Sequence, residues 1–445
     1  MSDDRGLPHE IIHNITNPLA RFLKIQAAAG VMLLISTVIA VVLTNSPWSI
    51  EFLKIWEMPI GIQLGSIALT RSLHHWINDG LMTLFFFVVA LEMKRELVLG
   101  ELNHIRVAAF PLAGAIGGMV FPALVYLFMM RGQPEVHGWG TVMATDTAFV
   151  IGCLALLGSR IPSNLRLFLL SLAIFDDIGA ILIVAFGYGG QLNGTALSLG
   201  LFGFCIVAAV AKMGVRSVPI YSFLGVATWM CFEFSGLHPT LAGVVLGLMT
   251  PTMSWVDDER LRSIFGKVLA YPPGEHWSGD TEDRHDLRQA GAAARETLSP
   301  VERLEILLHP WVGFLIMPLF ALANAGVVFS QEALAQSVPV AIIVSLVVGK
   351  PLGVIVMSWI AVRIGVARLF SHLHWPLIAA GSLLTGIGFT MSLFIAELGF
   401  SGSSLASAKI GILLASILAA TLGLGALAWL IRNKNPGKSF PLEKK

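Results

Sequence analysis

Long apolar runs recur along this chain, and they constrain its fold more than any other feature. Each run is roughly 18 to 27 residues long, and a helix needs about 20 residues to cross the hydrocarbon of a bilayer. Only 13% of the 445 residues are charged, against about a quarter in a soluble globular protein. The sequence therefore predicts an all-α membrane protein with twelve transmembrane helices, at 24–45, 73–93, 107–129, 139–158, 163–187, 194–211, 217–235, 237–253, 306–328, 338–362, 374–396 and 405–431.

Other classes of protein fit these runs poorly. An outer-membrane barrel alternates apolar and polar residues over about ten positions, whereas these runs are continuous. The first twenty residues are polar and charged, so we expect no cleavable signal peptide. Cys153, Cys205 and Cys231 lie in apolar runs and are expected to be small core residues, not disulfides or metal ligands. The formal net charge of +1 gives no reason to expect nucleic acid, and no cofactor is predicted.

The distribution of basic residues predicts the orientation of the spans. With the N-terminus in the cytoplasm, cytoplasmic segments hold 24 Lys and Arg residues and outer segments hold 3. Cytoplasmic loops of membrane proteins carry an excess of Lys and Arg. We therefore expect both termini in the cytoplasm of a bacterial inner-membrane protein. The predicted organisation is a cytoplasmic segment 1–23, a single transmembrane domain 24–432 and a cytoplasmic tail 433–445.

Two connections between spans are long. The outer loop 46–72 shows partial alternation over Met58–Leu69, which fits a small β-hairpin that could pair with a second subunit and fits a plain loop equally well. The cytoplasmic loop 254–303 is rich in Asp, Glu and Arg. It is expected to be solvated and mobile, with a short helix near 290–298.

Charged residues occur inside several predicted spans. Asp146 lies near the middle of span 4, Asp176 and Asp177 lie at the middle of span 5, and Lys350 lies at the middle of span 10. A charge at the bilayer centre costs roughly 2.5–3.5 kcal/mol on insertion scales. Because four unpaired charges at one depth would cost on the order of 10 kcal/mol, we expect these side chains to meet.

The chemistry of this cluster favours ion transport. One Asp–Lys pair could simply hold the helices together, and that reading stays open for Asp176 or Asp177 with Lys350. Two adjacent carboxylates and a third on the preceding span nevertheless exceed what one Lys neutralises, and surplus negative charge in a low dielectric favours a bound cation or proton. Carboxylate and hydroxyl oxygens are suited to small hard cations.

Two predicted spans contain interruptions. Thr145-Asp146-Thr147 is a poor helix interior and a good N-cap for a half-helix starting near Thr147. In span 11, Gly386 and Gly388 beside threonines weaken the helix, although close packing through glycine is an alternative. Spans 3–5 and 10–12 run in opposite directions, each with its interrupted helix in the middle. This pattern predicts an inverted repeat with the ion site at the repeat interface. Asp146 would compensate the paired helix N-termini there, and Lys350 the paired C-termini.

The chain resembles the NhaA-type sodium/proton antiporters, which are a known example of the inverted-repeat fold. The resemblance covers roughly 15–435, and its specificity comes from the ordered set of motifs. These motifs are Asn78-Asp79-Gly80-Leu81-Met82, Leu91-Glu92-Met93-Lys94-Arg95-Glu96-Leu97, Ala144-Thr145-Asp146-Thr147-Ala148-Phe149, Ile174-Phe175-Asp176-Asp177-Ile178-Gly179-Ala180, Leu308-His309-Pro310-Trp311-Val312, Ala321-Leu322-Ala323-Asn324-Ala325-Gly326, Gly349-Lys350-Pro351-Leu352-Gly353 and Gly386-Ile387-Gly388-Phe389-Thr390-Met391-Ser392.

The resemblance implies electrogenic exchange, with more protons entering than sodium or lithium ions leaving. It implies that Asp177 is the main cation ligand and that Asp176 is the second carboxylate, paired with Lys350 in one state. It places Thr145 and Asp146 at the crossing of the interrupted helices.

The same resemblance implies a pH-sensing region at the cytoplasmic ends of spans 2 and 9. Glu92 and Glu305 match that region, and His309 lies one turn further on. The alternative for both glutamates is an ordinary interfacial charge. Ile306 stands where some relatives carry His. Asp79, near the outer end of span 2, is a further candidate, and a homodimer is an expectation from the family.

Two rival functions are less well supported by the sequence. A sodium-coupled symporter for an organic solute would need a second set of convergent polar groups in mid-membrane, which we do not find in the sequence. An intramembrane aspartyl protease usually carries its second aspartate in a Gly-x-Gly-Asp motif, whereas Asp176 follows Ile174-Phe175. The preferred hypothesis is therefore a secondary transporter, not an enzyme, in which sodium and protons compete for one set of buried carboxylates.

Overall fold

The computed structural model describes residues 18–64, 67–100, 105–189, 192–215, 217–254, 256–269, 282–329, 331–370 and 373–433. Apart from one hairpin, the regular structure of these residues is helical. The α-helices and strands, in chain order, are α1 (Pro18–Thr44), α2 (Ser49–Glu57), β1 (Pro59–Leu64), β2 (Ile67–Ser72), α3 (Leu73–His75), α4 (Met82–Val98), α5 (Ile105–Met129), α6 (Thr147–Leu157), α7 (Ser163–Gly187), α8 (Gly194–Lys212), α9 (Val218–Glu233), α10 (Thr240–Met249), α11 (Asp258–Leu269), α12 (Glu282–Glu296), α13 (Pro300–Trp311), α14 (Met317–Asn324), α15 (Gln331–Ala335), α16 (Ser337–Val344), α17 (Lys350–Ile364), α18 (Trp375–Leu384), α19 (Phe389–Gly399) and α20 (Gly402–Asn433).

Several helices change their winding partway. Turns of π-helix cover Trp76–Leu81, Val312–Ile316 and Ser345–Gly349, so α3 continues into α4, α13 into α14, and α16 into α17. Short 3-10 helices cover Pro134–Val142 and Gly158–Arg160. Such π-turns are rare in helices and are frequent at functional sites.

The helices confirm a multi-span membrane protein. Among the described residues, seven helices are long and apolar enough to cross a bilayer, or up to ten if each of three bent pairs is one span. The bends are 116° between Ala28–Thr44 and Ser49–Glu57, 45° between Pro134–Val142 and Thr147–Leu157, and 51° between Trp375–Leu384 and Phe389–Gly399. The predicted spans 217–235 and 237–253 correspond to α9 and α10, with 16 and 10 residues. Both helices are shorter than the roughly 20 residues that a perpendicular crossing needs.

The connection 46–72 contains a hairpin, which decides between the two alternatives that the sequence left open. Strands β1 and β2 pair antiparallel, with Pro59 opposite Ser72 and Leu64 opposite Ile67. The indole Nε1 of Trp76 donates to the carbonyl of Ile60 at 2.8 Å. This bond ties the hairpin to the helix that follows it.

The connection 254–303 contains more helix than the sequence predicts. The short helix expected near 290–298 is part of α12, which begins earlier, at Glu282, and α11 precedes it. The sequence predicted one short helix in a solvated loop, and the structure has two helices, α11 and a longer α12. Helices α11 and α12 pack against each other, and Ala290 and Ala293 of α12 are buried. Residues 1–17 and 434–445 of the predicted terminal segments lie outside the described residues, whereas 18–23 belong to α1.

The chain divides into two compact units. The first comprises Met1–Leu81, Ile105–Gly189 and Gly313–Lys445, and the second comprises Met82–His104 and Gly190–Val312. In the first unit, α5 packs against both α7 and α17. A Cβ on Gly117 of α5 or on Gly353 of α17 would overlap the carbonyl oxygen of the other glycine. The two backbones are therefore in direct contact, and this contact positions the start of α17.

In the second unit, α4 packs against α10 and α13. The ammonium of Lys94 in α4 donates to the carbonyls of Leu248 at 2.5 Å and Thr250 at 2.6 Å. Carbonyls at the end of a helix have no partner within that helix. Lys94 therefore satisfies the C-terminal end of α10 and fixes it to α4.

Candidate functional site

The first interrupted helix breaks between Val142 and Thr147, as the sequence predicts. Asp146 is the N-cap of α6, with an extended backbone (φ −88°, ψ 98°), and its Oδ1 accepts from the backbone N–H of Phe149 at 3.1 Å. A short oxygen-bearing side chain at this position satisfies N–H groups that would otherwise lack partners in the low dielectric. The prediction of a half-helix starting at Thr147 is confirmed.

The second interrupted helix breaks between Leu384 and Phe389. The other carboxylate oxygen of Asp146, Oδ2, accepts from the backbone N–H of Thr390 at 3.0 Å and from its hydroxyl at 2.6 Å. Asp146 thus caps two helix N-termini at once, and its negative charge offsets the positive ends of both helix dipoles. This is the role that the sequence predicted for Asp146.

The glycines of this second break have a packing role as well. A Cβ on Gly386 would meet the carbonyl of Leu346, and one on Gly388 would meet Ser392 and the carbonyl of Ala144. Helix interruption and close packing through glycine, which the sequence left as alternatives, therefore occur together. The backbone N–H of Asp146 donates to the carbonyl of Ile387 at 2.7 Å, so the two breaks are in direct contact.

Asp176 and Lys350 form a fully buried ion pair beside the two breaks. The Lys350 Nζ lies 3.0 Å from the Asp176 Oδ2, and neither side chain has solvent-exposed surface. The same carboxylate oxygen accepts from the hydroxyl of Thr145 at 2.6 Å. Within the described part of the chain, the second oxygen of Asp176, Oδ1, has no hydrogen-bond partner. A carboxylate can accept on both oxygens, so Asp176 keeps unused capacity for a further ligand.

Lys350 also reaches the end of the first half-helix. Its ammonium donates to the carbonyl of Met143, the residue that follows the 3-10 segment Pro134–Val142. A cation at the C-terminal end of a helical segment offsets the negative end of its dipole. The predicted role of Lys350 at the paired C-termini is therefore supported for the first of the two interrupted helices.

Asp177 lies next to Asp176 on α7 and points in a different direction. Successive residues of an α-helix are rotated by about 100°. The Oδ2 of Asp177 lies 3.5 Å from the hydroxyl of Thr147, and Asp177 also interacts electrostatically with Lys350. Its relative exposure is 6%, against 0% for Asp176. Asp177 is thus the more accessible of the two adjacent carboxylates.

The charges of this site do not balance when all of its groups are ionised. Asp146, Asp176 and Asp177 carry three negative charges, and Lys350 carries one positive charge. The helix N-termini at Asp146 offset part of this difference. A cation or protons would offset the rest, and the hydroxyls of Thr145 and Thr147 add oxygen atoms suited to a small hard cation.

The predicted pH-sensing residues meet in the second unit. Arg95 of α4 pairs with Glu305 of α13 at 2.6 Å and with Glu96 at 2.7 Å. Nδ1 of His309 lies 3.2 Å from the Glu92 carboxylate. The structure therefore brings Glu92, Glu305 and His309 into one cluster of charged groups. Glu305 is buried, which argues against an ordinary charge at the membrane surface.

Asp79 makes a different contact from the other candidate carboxylates. Its Oδ2 lies 3.0 Å from the Nδ1 of His75, one turn earlier in the same helix. The main site residue that sequence reasoning missed is Thr390, which binds Asp146 with both its backbone and its side chain. Thr390 lies within the quoted motif Gly386–Ser392. Its partner is 244 residues away, so spacing alone could not identify the pair.

This arrangement defines a class of protein. Two interrupted membrane helices contact each other at their breaks, and buried carboxylates and an ammonium surround the contact; this is the organisation of a secondary transporter. The family model described as Na+/H+ antiporter 1 matches residues 20–427. The chain therefore belongs to the Na+/H+ antiporter 1 family, and the intramembrane protease considered from the sequence is excluded.

Relatives match the chain over nearly its whole length. A protein of Rhizobium meliloti (strain 1021) named Na(+)/H(+) antiporter NhaA is 58% identical over 424 residues, which cover 95% of this chain and 97% of the relative. Na(+)/H(+) antiporter NhaA 2 of Vibrio vulnificus (strain CMCP6) is 51% identical over 423 residues, covering 95% of each chain. The solved structure of the sodium proton antiporter MjNhaP1 from Methanocaldococcus jannaschii at pH 8 matches with a TM-score of 0.47 and 13% identity, over 95% of this chain and 96% of that one. The family assignment rests on the sequence relatives.

Proposed function

We propose that this protein exchanges Na⁺ or Li⁺ for protons across a bacterial inner membrane, exporting the metal ion as protons enter. The observation that carries the proposal is the buried cluster in which Asp176 and Asp177 adjoin the contact between two interrupted helices, with one ammonium, Lys350, facing both. Membership of the family and the names of its relatives support this choice of ion. The exchange would contribute to pH and salt homeostasis.

The proposed mechanism is competition for one site. Asp177 serves as the main cation ligand, and Thr147 beside it adds a hydroxyl oxygen. Burial in a low dielectric disfavours a carboxylate without a cation, so the deprotonated site binds Na⁺ and the protonated site releases it. Alternating access then gives exchange, because the carrier crosses loaded with either the metal ion or protons.

Two routes make the exchange electrogenic. Both carboxylates give up protons for one Na⁺, or Lys350 gives up a proton when its pair with Asp176 opens. In the first route Lys350 stays charged throughout the cycle. Replacing Lys350 by Arg distinguishes the two routes, because a guanidinium stays protonated in proteins. Exchange that stays electrogenic in Lys350→Arg would support the first route.

The test of the proposed function uses everted membrane vesicles and a dye that reports the proton gradient. Na⁺, Li⁺ and K⁺ are added in turn between pH 6 and pH 9. We expect Na⁺ and Li⁺, but not K⁺, to collapse the gradient in the wild-type protein and in Glu332→Gln, a control at an exposed carboxylate. Asp177→Asn should abolish the response. Unchanged exchange by Asp177→Asn would overturn the assignment of Asp177, and no response of the wild type to either ion would overturn the proposed function.

The proposed topology has twelve spans and an inverted repeat. The helices described above include two interrupted ones, at Met143–Asp146 and Thr385–Gly388, that take equivalent places in spans 3–5 and 10–12. Both termini and the connection 254–303 lie in the cytoplasm, the hairpin lies outside, and residues 24–432 form one transmembrane domain. Single cysteines introduced in the hairpin and in α12 should react with an impermeant thiol reagent from opposite sides of the membrane. Labelling of both from one side would contradict this topology.

The cluster around Glu305 is proposed to adjust activity to cytoplasmic pH. Three titratable side chains, those of Glu92, Glu305 and His309, cluster with Arg95 at the proposed cytoplasmic ends of α4 and α13. Asp79 is proposed as an additional acidic group on the outer side. Glu92→Gln with His309→Gln should displace the pH midpoint of exchange relative to Glu332→Gln. An unchanged midpoint would limit these residues to a structural role.

A homodimer is proposed to form through the hairpin of loop 46–72. Strands at the edge of a two-stranded sheet keep backbone groups that a second chain can pair with. Deletion of Pro59–Ser72 should convert the detergent-purified protein from dimer to monomer in light scattering. A particle mass that does not change on deletion would contradict this interface.

A further inference from the structure

A second ion pair between largely buried side chains lies in the first unit, outside the site described above. The sequence places Lys409 inside span 12 without indicating a partner. In the structure, Nζ of Lys409 on α20 lies 2.5 Å from Oε1 of Glu397 near the end of α19, and both side chains are largely buried. Charged side chains at such positions are costly and are typically functional.

The pair connects to two further helices. Nε2 of His74 on α3 lies 3.9 Å from the same oxygen of Glu397 and 3.0 Å from the side-chain oxygen of Asn324 at the end of α14. Asn324 in turn donates to the side chain of Asn78 at 2.8 Å and accepts from it at 3.2 Å. The end of the second interrupted helix is therefore tied to three other helices by polar side chains.

Helix α19 links this network to the ion site. Its 11 residues run from Phe389 to Gly399, so Thr390, which holds Asp146, lies near its first end and Glu397 near its last. The two residues are seven positions apart, which is about two turns and roughly 10 Å along one face of the helix. Backbone hydrogen bonds join the successive turns of such a short helix into one stiff segment. Any displacement at Glu397 is therefore transmitted to Thr390 and to the cap that it forms with Asp146.

We propose that Glu397 and Lys409 form a latch that holds α19 against α20 and so determines which side of the membrane the ion site faces. The inference rests on the proposed function and topology, in which this end of α19 faces outward. Glu397 and Lys409 are positioning residues, because they act on the site through α19 and not by contact with the ion. An ion pair suits a latch because removing either partner leaves the other charge buried without compensation.

The latch predicts opposite effects on the two sides of the membrane. Releasing it increases the fraction of molecules that face outward, and the apparent affinity on each side scales with the fraction facing that side. In Glu397→Gln, the Na⁺ concentration for half-maximal exchange should fall at the outer face and rise at the cytoplasmic face. A change from about one quarter to about three quarters of molecules facing outward would give about a threefold effect in each direction. The two faces are measured separately, in right-side-out and everted vesicles.

Matched variants separate a latch from a merely structural contact. The double variant Glu397→Gln with Lys409→Met removes both charges, so no unpaired charge remains in the protein interior. It should show the same opposite shifts, and it keeps the latch testable if Glu397→Gln alone folds poorly. The reciprocal exchange Glu397→Lys with Lys409→Glu should restore wild-type values on both sides. Glu135→Gln, at another carboxylate that contacts α20 through Ser404 at 3.1 Å, is the control and should not move either value.

The possible outcomes distinguish the latch from the function on which it rests. Opposite shifts that the reciprocal exchange reverses would support the latch. Shifts in the same direction on both sides, or a lower rate with unchanged half-maximal concentrations, would overturn it while leaving Na⁺/H⁺ exchange intact. No exchange by the wild-type protein would overturn the proposed function and the latch together.

Discussion

The buried pair between Lys350 and Asp176 is expected to be strongly coupled. At the observed separation of 3.0 Å, an effective dielectric constant of about 20 gives an attraction of roughly 5 kcal/mol between unit charges. Lys350→Met leaves Asp176 with Thr145 as its remaining partner. Asp176→Asn leaves the ammonium of Lys350 with the carbonyl of Met143 and the nearby carboxylate of Asp177. Breaking a buried pair on one side typically costs about 3–5 kcal/mol. Uptake of a proton by the remaining carboxylate would limit that cost in Lys350→Met.

A double-mutant cycle measures this coupling directly. The free energy of unfolding is measured for the wild type, Lys350→Met, Asp176→Asn and the double variant, at one pH in one detergent. Because the double variant leaves neither charge unpaired, we expect it to be more stable than the sum of the single changes predicts, by about 2–5 kcal/mol. Lys350→Met combined with Glu332→Gln, at a distant exposed carboxylate, should be additive to within about 0.5 kcal/mol. Additivity of Lys350→Met and Asp176→Asn would refute the buried pair.

Three further predictions follow from the same contacts. Thr390→Val removes the 2.6 Å hydrogen bond from the Thr390 hydroxyl to the buried Asp146 carboxylate and should destabilise the protein by about 1.5–3 kcal/mol in thermal unfolding. The control is Thr421→Val, which should have little effect because the Thr421 hydroxyl bonds to carbonyls of its own helix. Equal losses of stability in the two variants would contradict a special role for Thr390. Exchange should decline as the pH falls, because protons occupy the carboxylates that bind Na⁺, and a rate that keeps rising below about pH 6 would contradict competition. Gly117→Leu should abolish transport or expression by separating α5 from α17 at Gly353, and wild-type transport by this variant would show that the backbone contact is dispensable.

Local features of the site are predictable because they depend on neighbours in sequence. Thr145-Asp146-Thr147 reads as an N-cap from the side chains alone, and the structure places the cap at Asp146 with α6 starting at Thr147. Partial alternation after α2 allowed a hairpin there but did not distinguish it from a plain loop. The helical runs follow from apolar length. Among the residues that the structure describes, length and composition nevertheless support between seven and ten spans and leave α9 and α10 as short apolar helices.

Partners across helices are not predictable in the same way. Asp146 and Thr390 are 244 positions apart, and Lys409 finds Glu397 across the turn between α19 and α20. Such pairs depend on how each helix is rotated about its own axis. A helix that is apolar on all sides gives no sequence signal for that rotation, so the pairs cannot be predicted from the apolar runs. Helix α11 and the first turns of α12 were missed for a different reason. Their polar composition resembles that of a solvated loop, and packing against each other adds order that composition does not show.

The three carboxylates of the site differ in how many ligands they already hold. Asp146 accepts on both oxygens from two helix N-termini, so its charge is committed to holding the interrupted helices together. Asp176 uses one carboxylate oxygen, Oδ2, to contact Lys350 and Thr145. Its other oxygen, Oδ1, has no hydrogen-bond partner among the described residues. Asp177 is the most exposed of the three. In the proposed mechanism, a cation that arrives through an aqueous route would therefore meet Asp177 first and reach Asp176 by competing with Lys350, while Asp146 stays bound to the two helix N-termini. This order would let the cluster exchange ions while the contact between the interrupted helices is kept.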